Sequence, residues 1–357
     1  MAIAAPRRIE DVRLNLVIVL LLLGLNGLIF IVLPLGLLPA SIHFGWLLVP
    51  LVPLTVTHWA TIHEAIHGSL HPDRRINDRL GRLLAIGFGS PYELLRFGHL
   101  AHHALNGAEP ERPDLLDAGR TGRAARLVYY VRLLVGLHAV ELASTLLCLL
   151  PRRLLQPLVR KIFYGADPRA RNMADRAERQ LLDARRLGGT RRDALIILAL
   201  FGLAFWLYGS AWPLLALVLL GRAFLVSFMD NAPHYGGATG DSTQGYDMAV
   251  PRALGRLILN SNLHGTHHRH PGTPWQALPQ AFETDRSAFV GSYLTIPWRQ
   301  LRGPIVVPAR RCRHERARPR RPLRHRRGRE AGRLADGDPG PAAGHTLTRS
   351  AVRPPTC

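Results

Sequence analysis

The feature that most constrains this chain is the run from Leu14 to Leu38, which is 25 residues long and contains no formal charge. At about 1.5 Å of rise per residue, a helix of this length would extend about 37 Å, whereas the hydrocarbon core of a bilayer is about 30 Å thick. Two further apolar stretches run from Ile42 to Trp59 and from Ala194 to Leu220, and the second is interrupted at residues 208 to 210. The sequence therefore predicts a multi-pass integral membrane protein.

The placement of arginine predicts the orientation of these spans, because arginines near the ends of transmembrane helices mark the cytoplasmic side. Arg7, Arg8 and Arg13 precede the first span, whereas the turn from Pro39 to Trp46 contains no arginine. The segment from Arg74 to Arg192 is rich in arginine throughout. We therefore expect the first two spans to form a hairpin that opens towards a large cytoplasmic insertion.

A further apolar segment, Leu127 to Leu150, differs from the others because it carries Arg132, His138 and Glu141 near its middle. Charged side chains are costly inside a bilayer. This segment is therefore predicted to be an interfacial or core-packed helix.

Nine histidines lie near the ends of the apolar segments, in three clusters and one isolated position. They are His63 and His67 in HEAIH, His99, His102 and His103 in HLAHH, His234 in NAPH, and His264, His267 and His268 in HGTHH. Imidazole is the commonest neutral nitrogen ligand for iron, zinc and copper. The pattern predicts a metal centre at the surface of the bilayer.

The spacing within the clusters indicates how the imidazoles are shared. Histidines four residues apart lie on one face of a helix, so His63 and His67 can bind one metal ion. The adjacent residues His102 and His103 diverge by about 100° around a helix, which suits one imidazole to each of two metals. Nine imidazoles also exceed the roughly four ligands of a single zinc ion. Because the repeated pattern lacks cysteine and carboxylate, the site is predicted to be nitrogen-rich and compatible with two iron ions.

The clusters also bear on the topology, because they can share one site only if all of them emerge on one side of the membrane. Residues 194 to 220 are therefore interpreted as a second hairpin that turns at residues 208 to 210. The predicted fold class is all-α, with about four transmembrane helices in two hairpins and a cytoplasmic helical cap that holds the metal site. Residues 1–303 are predicted to form this domain, in the cell membrane, with both termini in the cytoplasm.

The three clusters resemble the histidine boxes of the membrane fatty acid desaturase superfamily, which also includes carotenoid ketolases and hydroxylases. The resemblance rests on HEAIH, HLAHH and HGTHH with the flanking RRINDRLGR and HHRHPGTPWQALP, and it covers residues 14 to 285. It implies a non-haem di-iron centre on the nine histidines, with His234 as the ligand that precedes the third box. It also implies that Asn231 holds a water molecule on one iron. Glu64 is interpreted as an acceptor that orients a ligand imidazole.

The resemblance further implies an oxidoreductase that uses dioxygen to remove hydrogen from unactivated C–H bonds. Desaturation of a fatty acyl chain, carried on a lipid, on coenzyme A or on an acyl carrier, is the favoured reaction. Hydroxylation or ketolation of a carotenoid or other lipid is the alternative. No fused haem or flavin domain is evident, so we expect electrons to come from a separate, ferredoxin-like protein.

A function of a different class also fits part of the pattern. HEAIH matches the HExxH motif of zinc metalloproteases, in which two histidines bind zinc and the glutamate is the general base. An intramembrane protease would leave HLAHH and HGTHH unexplained.

The C-terminal residues 304–357 hold 14 arginines against four acidic residues, and the whole chain has a formal net charge of +21. Their mixture of arginine, proline and glycine has no apolar periodicity, which predicts a disordered tail. The abrupt change of composition also suggests an out-of-frame translation. Because Lys161 is the only lysine, we attribute the arginine bias to a GC-rich genome and expect no nucleic-acid partner.

Overall fold

The computed structural model describes residues 11–108, 111–118, 121–162 and 168–307, which are mostly helical. The helices are α1 (Val12–Ala40), α2 (Thr55–His67), α3 (Arg74–Phe88), α4 (Tyr92–Leu105), α5 (Arg123–Leu147), α6 (Arg152–Ile162), α7 (Pro168–Leu181), α8 (Ala184–Tyr208), α9 (Trp212–Asn231), α10 (Arg252–Leu257), α11 (His264–Arg269) and α12 (Leu278–Thr284). Turns of π-helix occupy Leu28–Leu37 in α1 and Arg132–Gly136 in α5. Short 3-10 helices lie at Ile42–Leu48, Gly209–Ala211, Trp275–Ala277 and Ile296–Arg302, and the strands are β1 (Leu115–Asp117) and β2 (Ile305–Val307).

Three helical segments of the described residues are long and apolar enough to cross a membrane. They are α1, α5 and the 48-residue stretch from Ala184 to Asn231 that contains α8 and α9. The first predicted span, Leu14 to Leu38, lies wholly inside α1. The mostly helical character that the sequence predicts is thus confirmed.

The second predicted span, Ile42 to Trp59, does not form one continuous helix. A 3-10 helix at Ile42–Leu48 is followed by turns, and α2 begins only at Thr55. Pro50 and Pro53 explain the interruption, because proline has no amide hydrogen and its ring clashes with the preceding helical turn. The second half of the segment instead begins the helix that carries the first histidine box.

Helix α5, which the sequence predicts to be interfacial or core-packed, is also long and apolar enough to cross a membrane. Its polar groups avoid the cost of lipid contact by facing protein. His138 is completely buried, and its Nδ1 lies 2.9 Å from Oε2 of Glu141. Arg132 lines an internal polar cavity.

Helices α8 and α9 are joined by the 3-10 turn at Gly209–Ala211, where Gly209 has a φ of +51°. Residues on both helices contact α3. Arg82 of α3 forms an ion pair with Asp193 of α8, and Arg222 of α9 donates a hydrogen bond from Nη1 to the carbonyl oxygen of Gly87. The chain therefore runs away from α3 along α8 and returns towards α3 along α9.

The first two box-bearing helices are held by close packing around α3. Gly81 of α3 faces Ala65 of α2 and Tyr92 of α4, at a separation that leaves no room for a Cβ atom. Buried Asn77 ties down the loop after the first box, since its Nδ2 donates to the carbonyl of Ala65 and its Oδ1 accepts from the amide of Leu70. The sequence motif RRINDRLGR thus positions the first box relative to the second.

Strands β1 and β2 pair in parallel, with Leu115 opposite Ile305 and Asp117 opposite Val307. The folded part of the chain therefore extends past the predicted boundary at residue 303, because the backbone of these residues completes a ladder with β1. Residues 308–357, which comprise most of the tail predicted to be disordered, lie outside the described residues, as do residues 1–10.

Candidate metal centre

The structure brings all nine box histidines together in two groups, although the clusters are separated by up to about 200 residues of sequence. The five-histidine group contains His63, His67, His99, His103 and His267. The four-histidine group contains His102, His234, His264 and His268. Within each group one nitrogen of every ring lies within 4.8 Å of the others. Both adjacent pairs, His102 with His103 and His267 with His268, are divided between the groups.

In the five-histidine group the rings converge through their Nε2 atoms. Nε2 of His99 lies 2.9 Å from Nε2 of His67 and 3.0 Å from Nε2 of His103. Nε2 of His267 lies 3.0 Å from that of His103 and 3.1 Å from that of His63. All five nitrogens therefore point to one small volume.

The four-histidine group has the same design. Nε2 of His264 lies 2.8 Å from Nε2 of His234 and 3.0 Å from Nε2 of His268. Nε2 of His268 also lies 3.3 Å from Nε2 of His102. The isolated histidine of the sequence thus joins the second and third boxes.

Hydrogen bonding alone cannot account for these contacts. A neutral imidazole nitrogen carries either one hydrogen or one lone pair in the plane of the ring, yet Nε2 of His99 and Nε2 of His264 each contact two other Nε2 atoms. A cation accepts several lone pairs at once. Two nitrogens bound at right angles about 2.1 Å from one cation are about 3.0 Å apart. The donor atoms of each group therefore fit a bound metal ion.

Burial keeps most of these imidazoles in the neutral form that binds metals, because an imidazolium in the interior loses its hydration. Burial, followed by the charge of His102, lowers the pKa of His103 to about 2 and that of His234 to about 3. Burial likewise lowers the pKa of His67, His99, His264, His267 and His268. Lone pairs are thus available at neutral pH.

His102 is the exception, and its partner is Glu111. Nδ1 of His102 lies 3.0 Å from Oε2 of Glu111. Burial opposes the imidazolium form, but the hydrogen bond and negative charge of Glu111 outweigh it and raise the pKa of His102. When Nε2 binds a metal, Nδ1–H can donate to this carboxylate, which fixes the tautomer and the direction of the ring.

The loop that carries Glu111 is anchored by a buried ion pair. Nε and Nη2 of Arg112 each lie 2.9 Å from one carboxylate oxygen of Asp114. Oδ2 of Asp114 also accepts a hydrogen bond from the amide of Gly236, two residues after His234. One ion pair therefore holds both the loop of Glu111 and the turn of the isolated histidine.

Gln244 and Asn106 are further neighbours of the four-histidine group. Nδ1 of His234 lies 3.3 Å from Oε1 of Gln244, and Nδ1 of His268 lies 3.2 Å from Nδ2 of Asn106. No sequence motif marks Asn106, Gln244 or Glu111, because all three lie in loops outside the boxes. Their relation to the histidines is created by tertiary folding alone.

The side chains of Glu64 and Asn231 form their described hydrogen bonds with residues other than the box histidines. Oε2 of Glu64 accepts hydrogen bonds from Oγ of Ser69 at 2.7 Å and from the amide of Trp275 at 3.1 Å, while its Oε1 is 3.8 Å from Nδ1 of His63. That last distance is too long for a hydrogen bond. Nδ2 of Asn231 donates to Oε1 of Gln300 at 2.7 Å.

The residues between the histidines of the third box fix the position of α11. Oδ1 of Asp247 accepts a hydrogen bond from the amide of Thr266 at 2.8 Å, and Oδ2 accepts from its hydroxyl at 3.0 Å. Gly265 packs against the backbone of Gly245, where a Cβ atom would collide. The glycine and threonine of HGTHH are thus explained by packing and by hydrogen bonding.

An apolar cavity of about 840 Å³, partly open to solvent, adjoins the histidines. Along α2 its wall extends from Thr55 to His63, a helical distance of about 12 Å. The opposite wall includes Leu225 and Val226 of α9. The histidines that line it are His63, His99, His264 and His267. The shape fits a hydrocarbon chain that ends at the metal centre.

A second, more polar cavity lies on another side of the four-histidine group. His102 and His234 line it together with Glu111, Asp230 and Asn231. The two cavities therefore present the histidines to surroundings of opposite character.

Comparison with known proteins adds a family relationship to this geometry. A sequence model of the fatty acid desaturase family matches residues 38–300, a range that contains all nine histidines. The fatty acid conjugase FAC2 B of Calendula officinalis is 23% identical over 273 residues, which cover 70% of this chain and 71% of the relative. The conjugase FAC2 A of the same plant is 23% identical over 272 residues, with the same coverage. No solved structure gives a significant match.

Proposed function

The chain belongs to the fatty acid desaturase family, and on this premise we propose that it is a membrane-bound, oxygen-dependent desaturase of fatty acyl chains with two iron ions on its nine histidines. The observation that carries the proposal is the division of the nine imidazoles into two groups beside one apolar cavity. The plant relatives are fatty acid conjugases, which supports a fatty acyl substrate. The resemblance recognised from the three histidine boxes is thereby confirmed at the level of the family.

The donor atoms are compatible with iron. Imidazole nitrogen is a good ligand for iron, zinc and copper, whereas thiolate would favour zinc or copper(I). Cys148, the described cysteine, is buried directly after α5 and lies outside both groups. One group offers five nitrogens and the other four, and each group would hold one iron ion.

The proposed reaction balances as follows: a saturated –CH2–CH2– unit, dioxygen, two electrons and two protons give a –CH=CH– unit and two water molecules. Iron supplies the activation of dioxygen and the cleavage of the C–H bonds. The protein places the acyl chain along Leu225 and Val226, where apolar walls exclude water, and presents its carbons to His63 and His267. Position in the cavity thus selects the carbon that reacts.

Glu111 performs a positioning role in this scheme. Its carboxylate accepts Nδ1–H of His102, so that Nε2 keeps its lone pair for the metal. Gln244 is placed to do the same for His234. These contacts hold two imidazoles in the tautomer whose Nε2 lone pair can bind a metal.

The proposed membrane arrangement follows the sequence prediction. Contacts of Asp193 and Arg222 with α3 support a hairpin formed by α8 and α9. The arginines between Arg74 and Arg192 support a cytoplasmic location for the cap and the metal site. The chain would then lie in the cell membrane and take its electrons from a separate, ferredoxin-like carrier.

The zinc protease alternative finds little support in the geometry. Its general base would be Glu64, but this carboxylate accepts hydrogen bonds from Ser69 and the backbone of Trp275. His63 and His67 are also joined by three other imidazoles. Hydroxylation or ketolation of a carotenoid or other lipid, by contrast, would use the same metal centre.

The decisive experiment is lipid profiling of a host that expresses the chain, with His102→Ala as the control. New double bonds that disappear in the control would support the proposal. An unchanged acyl profile would refute desaturation, and new hydroxyl or keto groups would instead establish the alternative oxidation. Metal analysis of the purified protein should give about two iron ions per chain, whereas one zinc ion would support the protease.

A further inference from the structure

We propose that a basic pocket between α4, α7 and the start of α8 is the docking site of an acidic electron-carrier protein. This inference rests on the proposed function, since an oxygen-dependent desaturase must receive two electrons in each cycle. A one-electron carrier would bind twice, and it would be oxidised each time as the metal centre is reduced. The pocket encloses about 960 Å³, part of it open to solvent.

The position of the pocket is the first argument, because residues on the pocket side of α4 adjoin the face of this helix that carries metal ligands. Arg96 and Leu100 of α4 line the pocket. His99 and His103 of the same helix point into the five-histidine group. Since the diameter of a helix with its side chains is about 10–12 Å, a protein seated in the pocket would lie within about one helix diameter of these ligands.

The charge of the pocket is the second argument. Arg176 of α7 and Arg186 of α8 are exposed lining residues, and no acidic group lies within ion-pair distance of either among the described residues. Arg96 forms only a long ion pair, with its Nη1 3.8 Å from Oδ2 of Asp78. Glu93 is the single acidic residue in the described lining of the pocket. The positive charge is thus left largely available to a partner.

The surrounding surface extends this charge. Residues 152–192 contain twelve arginines and lysines against four acidic residues. Arg171, Arg179 and Arg185 are exposed in this region. Complementary charge accelerates encounter with an oppositely charged protein, and interfaces of redox proteins are small and short-lived.

The pocket also has an apolar centre, which suits a protein better than a lipid surface. Leu100 lines the pocket, and 41% of this residue is exposed. Leu181 and Phe97 also line the pocket. An apolar patch within a charged rim is the usual anatomy of a protein interface. A concave shape fits a protruding protein surface, whereas an anionic bilayer is planar.

The test compares two routes of reduction in the full-length, iron-loaded protein. Charge reversal by Arg176→Glu with Arg186→Glu should lower formation of oxidised lipid in host cells, where a carrier protein is needed, by at least about tenfold. Oxygen consumption by the purified protein in nanodiscs, driven by reduced methyl viologen, should stay within about twofold, because a small reductant needs no docking site. The neutral variants Arg176→Gln with Arg186→Gln should give an intermediate loss in cells.

The matched control is Arg252→Glu with Arg256→Glu, two exposed arginines on α10, which contributes nothing to the lining of the pocket. This control should leave both routes unchanged. Docking is refuted if the reversal variant keeps full activity in cells, or if the reversal and neutral variants lose both routes equally.

Two other results have separate meanings. A wild-type protein whose viologen-driven activity requires phosphatidylglycerol in the nanodisc, combined with a reversal variant that no longer responds to this lipid, would assign the pocket to anionic lipid and overturn docking. A wild-type protein that oxidises no lipid in cells or with viologen would refute the proposed function itself.

Discussion

The five-histidine and four-histidine groups differ most in what lies behind their rings. In the four-histidine group, Nδ1 of His102 faces a carboxylate and Nδ1 of His234 faces a side-chain amide oxygen. In the five-histidine group, Nδ1 of His267 is buried without a hydrogen-bond partner, and Nδ1 of His63 is 3.8 Å from the nearest carboxylate oxygen described. Polar contacts thus orient His102 and His234, whereas the described residues place no hydrogen-bond partner behind His63 or His267.

The two groups also differ in the polarity of the cavities that their histidines line. Three members of the five-histidine group line the apolar cavity together with His264 of the four-histidine group, whereas the histidines that line the polar cavity, His102 and His234, both belong to the four-histidine group. We infer that substrate approaches mainly from the first side, while the hydrogen-bonded groups that tune the metal lie on the second. Such a division would let one side change with substrate and leave the other unaltered.

The largest expected effect on lipid oxidation and on iron content comes from removing one histidine from each group in turn. His67→Ala and His102→Ala should each lower lipid oxidation by more than about 100-fold, the upper end of the effect of outer hydrogen-bond partners, and lower the iron content from about two ions to about one. Iron analysis of the purified variants provides the measurement. His43→Ala, in an exposed turn, should change neither quantity. Loss of both ions from each variant would show that the groups act as a single site.

A smaller effect should distinguish the acids behind the rings. Glu111→Gln should lower activity or iron affinity by about 10-fold to 100-fold, because the charge that orients His102 is lost. Glu64→Gln is the matched comparison, and it should act mainly on thermal stability through Ser69 and Trp275. Titration of the apoprotein with ferrous iron and thermal unfolding provide the two readouts. If Glu64→Gln has the larger effect on iron, polar orientation belongs to the five-histidine group instead.

The apolar side can be tested by filling the cavity. Leu225→Trp should lower turnover of the preferred acyl chain by about tenfold, a change of about 1.4 kcal/mol in the barrier, and should leave iron content unchanged. Leu217→Trp on the same helix is the control, since Leu217 is 62% exposed. Product analysis with acyl chains of graded length is the measurement. Equal turnover in both variants would place the substrate elsewhere.

The smallest effect is expected at Asn231. Its amide nitrogen donates to Gln300, so Asn231→Ala should lower activity by no more than about threefold, the equivalent of a hydrogen bond worth about 0.7 kcal/mol. Steady-state oxygen consumption with reduced viologen measures this change. A loss of 100-fold would instead support the role at the iron centre that the family resemblance implies.

Sequence reasoning is strongest where the relevant interaction is local. The spacing of His99, His102 and His103 is a property of one helix, so their divergence to two sides follows from helical geometry. The length and composition of residues 14 to 38 likewise predict a long apolar helix, and the structure contains one.

Other features depend on contacts that no local pattern encodes. Glu111 lies eight residues past the second box and meets His102 only because a buried ion pair folds its loop back. Glu64 stands beside His63 in sequence, yet its carboxylate binds the amide of Trp275, 211 residues away. Charged residues within α5 predict an interfacial or core-packed helix, and the burial of His138 beside Glu141 fits the core-packed alternative.

The two adjacent pairs have a mechanical consequence for the metal centre. His102 and His103 belong to different groups, as do His267 and His268, so a single peptide unit spans the gap between the groups at two places. Consecutive Cα atoms are fixed at about 3.8 Å by covalent geometry. A shift of α4 or of α11 would therefore move ligands of both groups together, so the two groups would respond as one body to motion of either helix.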